Sequence, residues 1–279
     1  MFSTGHFIWI AVSFILIGVF TALCIRFKPP VKRVITVCLA LGILSEVIKI
    51  LSVIEIVPMV DPAIVNENGT YVLTYVPTGE YSPMLANEHL PLELCSLQLF
   101  FMALLVILKD ERLKHYIYVL MFPTGVIGGM LGVVLATTTN YIKTPSEFIT
   151  SPRIWQYFFY HAMIIFLSIY IGYSKEIYLK FKDWKPAVIA VILLDLPTFY
   201  INSVMSEKVY LNNELVGTSH RINYLSSYVN PLGIVLKEKW QWIIYLLIRA
   251  VLAFGLIVLL FVPFIKRKKE RSLGEHKQA

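Results

Sequence analysis

Trp240-Gln-Trp-Ile-Ile-Tyr-Leu-Leu-Ile-Arg-Ala-Val-Leu-Ala-Phe-Gly-Leu-Ile-Val-Leu-Leu-Phe-Val-Pro-Phe264 carries one charge, Arg249, and runs almost directly into the basic cluster Lys266-Arg-Lys-Lys269. About 20 apolar residues suffice to cross a bilayer core as a helix. Basic residues collect on the cytoplasmic side. The segment therefore reads as a transmembrane helix that ends inside the cell. Six further apolar runs precede it: Gly5–Phe27, Val34–Val57, Pro91–Lys109, Lys114–Ala136, Arg153–Tyr173 and Pro186–Met205. The expected fold class is all-α: one polytopic membrane protein with seven transmembrane helices over residues 1–265. Residues 266–279 form a basic cytoplasmic tail, a stop-transfer anchor that can also touch anionic headgroups.

Composition agrees. Hydrophobic types make up 57% and charged types 15% of the 279 residues, and mean hydropathy is +0.68. A soluble domain carries about 25% charged residues. That difference excludes an ordinary soluble enzyme, a disordered chain and a nucleic-acid-binding domain, so no nucleic-acid partner is expected. The formal charge of +7 is a matter of topology. With the N-terminus outside, 17 of the 25 Lys and Arg lie in cytoplasmic segments, and none falls between Ile50 and Leu108. The expected localisation is a bacterial cytoplasmic membrane. The first helix lacks a basic leading region and a small-residue cleavage site, so it is not read as a signal peptide.

Two outer segments are long, 58–90 and 206–239. The second has short apolar runs around Asn212-Asn213, which suggest a β-hairpin. Asn68-Gly69-Thr70 is a formal glycosylation sequon that reads better as a turn. The fourth run contains Pro123, where a kink is expected, with Gly125, Gly128, Gly129 and Gly132. Their spacing lets a neighbouring helix approach closely. Cys24, Cys38 and Cys95 form no disulfide framework and no metal-ligand spacing; no cofactor or metal is expected.

Ionisable groups inside apolar spans are costly, so they face the protein interior or a wet cavity. Counting 1.5 Å per residue places His6, Glu46, His89, Cys95, His161, Asn202 and Asn223 at or outside mid-depth, on one side of the membrane. Asp195 and Arg249 fall near mid-depth. Arg249 is expected to pair with Asp195 or with Glu46, and Glu46 can pair with Lys49 at i,i+3. These charges serve either as structural ion pairs or as a proton or ion path. Pro91 suits a first helical turn, which puts Cys95 about one turn into its helix. The positive end of the helix dipole there favours a thiolate, although Glu93 opposes it. His161 or His89 can act as its base. The plain alternatives are a small buried thiol and a histidine that is only hydrogen-bonded.

Leu90-Pro-Leu-Glu-Leu-Cys-Ser96, Leu44-Ser-Glu46 and Phe158-Phe-Tyr-His161, with Gly5-His6, Gly128-Gly129 and Asn223-Tyr-Leu225, resemble the YwaF family of bacterial integral membrane proteins. That family is similar to a eukaryotic transmembrane acyltransferase that moves fatty acyl groups between glycerophospholipids. It is also distantly similar to membrane hydrolases of fatty-acid esters. The resemblance implies a lipid acyltransferase or ester hydrolase with Cys95 as nucleophile and His161 as base. His6, Glu46, His89, Asn202 and Asn223 would support them, and membrane lipids would be the substrate. The chain departs from the family pattern in an inserted segment between Asn202 and Asn223, in Arg249, and in having no Gln across Leu131–Thr139. The competing class is a transporter or lipid-binding protein that works through Glu46, Lys49, Asp195 and Arg249. A retinal-type receptor is disfavoured because the last span has no lysine for a Schiff base.

Overall fold

A computed structural model describes residues 3–67, 70–85, 89, 93–136, 144, 146–211, 214–219 and 238–265; at 62–74 and 207–219 it describes backbone only. The elements are α1 (Thr4–Phe27), α2 (Val31–Val53), β1 (Glu55–Glu67), β2 (Thr70–Met84), α3 (Leu94–Ile107), α4 (Glu111–Val134), α5 (Glu147–Thr150), α6 (Pro152–Tyr173), α7 (Trp184–Val204), β3 (Glu207–Leu211), β4 (Glu214–Ser219) and α8 (Lys239–Phe261).

Each of the seven expected runs is helical. Among the described residues, six helices are long and apolar enough to cross a membrane: α1, α2, α4, α6, α7 with the short turn before it, and α8. This makes the chain a multi-pass membrane protein. α3 falls short because it starts after Glu93 and ends at Leu108, where the backbone becomes extended. Its 14 residues reach about 21 Å, against a hydrocarbon core of about 30 Å.

The protein is mostly helical, and two antiparallel hairpins extend from the helices. β1 pairs with β2 from Glu55↔Met84 to Glu67↔Thr70, and β3 pairs with β4 from Glu207↔Ser219 to Leu211↔Glu214. The hairpin expected around Asn212-Asn213 is therefore present. Asn212-Asn213, Asn68-Gly69, Pro91, Asn223 and the 266–279 tail lie outside the described residues.

Helix ends follow their local chemistry. Lys28 takes the left-handed conformation (φ 48°), and its N–H donates to Cys24 O, closing α1. Asp110 caps α4 by accepting from the N–H groups of Arg112 and Leu113. Pro123 lies inside α4 without ending it.

α6 is the central helix. Of its apolar window 67% is buried within the protein, against 6% for α8. It packs on α1, α2, α3 and α4. The approach to α4 is closest where α4 has no side chains. A Cβ at Gly125 would sit 2.0 Å from Ser168 Oγ, and one at Gly129 would sit 2.5 Å from Ile165 Cγ1. The packing role expected for this glycine series holds. α1 docks through Trp9, which stacks on Phe158 with centroids 5.5 Å apart and donates to Phe148 O at 2.6 Å.

α8 is the peripheral helix. Its buried residues, Ile257 and Phe261, lie near its C-terminal end. Nearer its middle it meets α7 through the Arg249–Asp195 ion pair. Of the two expected partners, Arg249 is paired with Asp195, and Glu46 is paired with Lys49. Removing one partner of such a pair strands a charge in an apolar zone, whereas removing both strands none. Asp195→Leu is therefore expected to lower the thermal stability of detergent-solubilised protein more than Asp195→Leu/Arg249→Met. A double variant no more stable than the single one would contradict the structural role.

Candidate functional site

α3 starts at Leu94 with Glu93 at its cap position, so Cys95 is the second residue of the helix and closer to its N-terminus than expected. The first-turn N–H groups of a helix have no partner within it.

His161 sits in the N-terminal half of α6, buried. Its Nδ1 is 2.7 Å from Tyr157 O. A carbonyl can only accept, so Nδ1 carries the proton and the neutral ring keeps its lone pair on Nε2. That edge of the ring faces α4. A Cβ at Gly132 would collide with Nε2.

The C-terminal end of α4 gathers the other groups. The last carbonyls of a helix need outside donors. Tyr157 OH donates to Gly132 O at 2.9 Å, and His6 Nε2 donates to Val133 O at 3.1 Å. Gly5 leaves room for Phe148 beside this contact; a Cβ there would sit 2.7 Å from Phe148 Cγ. One turn earlier on α4, Gly128 faces the start of α3. A Cβ there would sit 3.3 Å from Leu94 Cβ and 3.7 Å from Cys95 N. The backbone at Leu94–Cys95 and the ring of His161 thus meet glycines one helical turn apart on α4. Tyr160, which precedes His161, donates its hydroxyl to Cys95 O at 2.8 Å. Among the described residues no hydrogen bond joins the thiol to the imidazole.

A second polar chain lies beside this one on α2 and α6. Arg153 donates to Gln156, whose Nε2 donates to Ser45 Oγ at 2.7 Å. The Arg153 guanidinium also lies over the Tyr157 ring, 5.6 Å from its centroid. Glu46 and Lys49 form the expected i,i+3 ion pair. Lys49 Nζ also donates to His89 O at 3.1 Å. His89 thus meets this cluster through its carbonyl. Asn202 is fully buried near the end of α7, where its carbonyl accepts from Ser206 Oγ. α7 packs on α4 and α8.

Sequence reasoning missed Tyr157, Tyr160, Arg153, Gln156 and Gln98. Gln98 is buried one turn below Cys95, where its Nε2 donates to Thr124 Oγ1 at 2.8 Å. The available signal for Gln98 was an amide inside an apolar run. A cavity of about 220 Å³ lies at the opposite end of the bundle, between Lys32 and Tyr118, and has no part in this arrangement.

A protein-family comparison matches residues 1–261 to the TMEM164 family. The chain belongs to that family, which is a transmembrane one. No curated protein and no solved structure matches it.

Gly132→Ala is expected to push the imidazole away from α4 and shift the His161 ring ¹⁵N resonances. It should also cost about 1–3 kcal/mol of stability through overpacking. Gly255→Ala, which meets nothing within 4 Å, should leave both unchanged. His161 resonances that stay put in Gly132→Ala would contradict the seating described here.

Proposed function

We propose that the chain is a membrane-embedded lipid acyltransferase or ester hydrolase of the YwaF kind, with Cys95 as nucleophile and His161 as base. It works in a bacterial cytoplasmic membrane. α3 serves as a short seventh span, the N-terminus is outside and the C-terminus is in the cytosol. Membrane lipids are its substrates.

The observation that supports the reading is the seating of Cys95 and His161 on one face of α4, with Nε2 as the basic nitrogen of the ring. In the reaction, His161 Nε2 takes the thiol proton, and the thiolate attacks the carbonyl carbon of an acyl ester. The oxyanion is met by first-turn N–H groups of α3, or by Asn223. The intermediate collapses by breaking the ester C–O bond. The imidazolium protonates the departing lysolipid alkoxide, and the acyl group stays on sulfur as a thioester. In the second half, His161 removes the proton of a lysolipid hydroxyl or of water. That oxygen attacks the thioester, the C–S bond breaks, and the thiolate recovers its proton from His161. The scheme uses no metal and no soluble cofactor. Tyr160 holds the Cys95 carbonyl, and His6 and Tyr157 hold the end of α4 that seats both groups. Glu46, Lys49 and His89 brace the neighbouring α2.

The rival reading as a transporter or lipid-binding protein uses Glu46, Lys49, Asp195 and Arg249. These four charges are satisfied in two pairs, Glu46–Lys49 and Asp195–Arg249, which suits a bracing role.

The test is to trap the acyl intermediate. Protein in bilayers is incubated with a phospholipid bearing a clickable acyl chain, then denatured, tagged and treated with hydroxylamine. Wild type is expected to carry a hydroxylamine-sensitive label on the Cys95 peptide. Cys95→Ala should carry none, and His161→Ala should label at least about 100-fold more slowly, the scale of lost general-base assistance. Equal labelling of wild type and Cys95→Ala would overturn the proposal.

A further inference from the structure

The cavity far from Cys95 has its own chemistry. Its walls come from the first turns of α2, the last turn of α3, the first turns of α4 and the link between α6 and α7. Along α4, Glu111 and Gly132 are about 30 Å apart, so this cavity and the Cys95 region occupy opposite ends of the bundle.

Contacts between segments distant in sequence hold the walls. Glu176 Oε2 accepts the N–H of Val31 at 2.9 Å, so it caps α2. Ser174 Oγ accepts from the N–H of Glu176 at 3.1 Å, which fixes the capping loop. Tyr170 OH donates to Pro29 O at 2.6 Å and holds the entry to α2. Lys114 donates to Glu111 at 2.7 Å across the first turn of α4.

The lining combines two cations, Lys32 and Lys114, with two carboxylates, Glu111 and Glu176, and the phenol of Tyr118. An ammonium has three donors and a carboxylate about four acceptor sites. The contacts above use one donor of Lys114 and one oxygen each of Glu111 and Glu176. Below the charges the lining is aliphatic, with Ile35, Leu105 and Val106. The next residue of α3, Ile107, is 73% exposed and faces outward at the edge of the bundle.

A single-signed ligand would meet two like charges here. A ligand with a phosphate and an ammonium a few ångströms apart meets each sign with its opposite. A volume of about 220 Å³ accommodates a headgroup and not a whole lipid.

We propose that this cavity binds a zwitterionic phosphate–ammonium headgroup, with Lys32 and Lys114 facing the phosphate and Glu111 and Glu176 facing the ammonium. The site is separate from Cys95 and does not depend on the acyl-transfer reading.

The test uses the full chain in nanodiscs containing equal amounts of phosphatidylethanolamine and phosphatidylglycerol, followed by native mass spectrometry of retained lipid. A second arm adds soluble glycerophosphoethanolamine to delipidated protein. The variants are Glu176→Gln, whose amide oxygen can still accept from Val31 N–H, and Lys114→Gln. Circular dichroism melting shows whether each variant is folded.

Wild type should retain the zwitterionic lipid at least about fivefold over the anionic one. Each folded variant should lose most of that preference. Binding in the soluble arm together with lipid retention shows that the headgroup alone is recognised. Lipid retention without soluble binding shows that the bilayer-anchored lipid is the ligand. Soluble binding alone, lost in the variants, assigns the same chemistry to a free metabolite. Equal retention of both lipids by wild type with no soluble binding would overturn the proposal, as would an unchanged preference in folded variants. The Cys95→Ala protein should behave as wild type in every arm, so this result is independent of the acyl-transfer test.

Discussion

The closeness of α6 and α3 to α4 is the constraint on which the rest of the molecule depends. In a bilayer the lipid tails are as apolar as leucine, so helices gain little by hiding apolar surface from one another. Association then rests on close packing and on polar links. Glycines at 125, 128, 129 and 132 remove the side chains that would hold neighbours off. Ser168, Leu94, Ile165 and His161 fill the space. The same glycines that allow packing therefore help set where the start of α3 and the His161 imidazole stand.

Polar satisfaction accounts for much of what surrounds that face. The end of α4 accepts from Tyr157 and His6, and the start of α3 is held through Tyr160. Each link uses a side chain from α1 or α6 to satisfy or hold backbone of α3 or α4. Unsatisfied backbone carbonyls cost several kcal/mol in hydrocarbon, so these links give an up-and-down bundle a defined register. At the opposite end the backbone of α2 is satisfied in the same manner by Glu176. The two ends use the same means to build different chemical surroundings, apolar and aromatic at one and zwitterionic at the other.

Much of this was legible in residues. Helix positions agree with the apolar runs to within a few residues, because charges and prolines mark each boundary. The i,i+3 spacing of Glu46 and Lys49 pointed to their ion pair, and matched depth offered Asp195 as one of two partners for Arg249. The long hairpin β1–β2 was not foreseen, although Asn68-Gly69 reads as a turn. Pro58, Pro62, Pro77 and Pro83 argue against strands, and a two-stranded ribbon tolerates them because each strand has a free edge. The shortness of α3 was hidden because the apolar run Pro91–Lys109 is longer than the helix within it. Tyr157 and Tyr160 were passed over for a further reason. A tyrosine in an apolar span looks like filler until its hydroxyl partner is known, and both partners here are backbone carbonyls of other helices.

The central claim is that the Cys95 thiol and the His161 imidazole belong to one reactive unit at the α4 face. It is tested most directly by a solid-state NMR distance between Cys95 Cβ and the His161 ring nitrogens in lipid bilayers. The account predicts that Nε2 lies no farther from the cysteine side chain than one bridging water allows, about 6 Å or less. A separation beyond about 10 Å, with no water that could carry a proton between them, would contradict it.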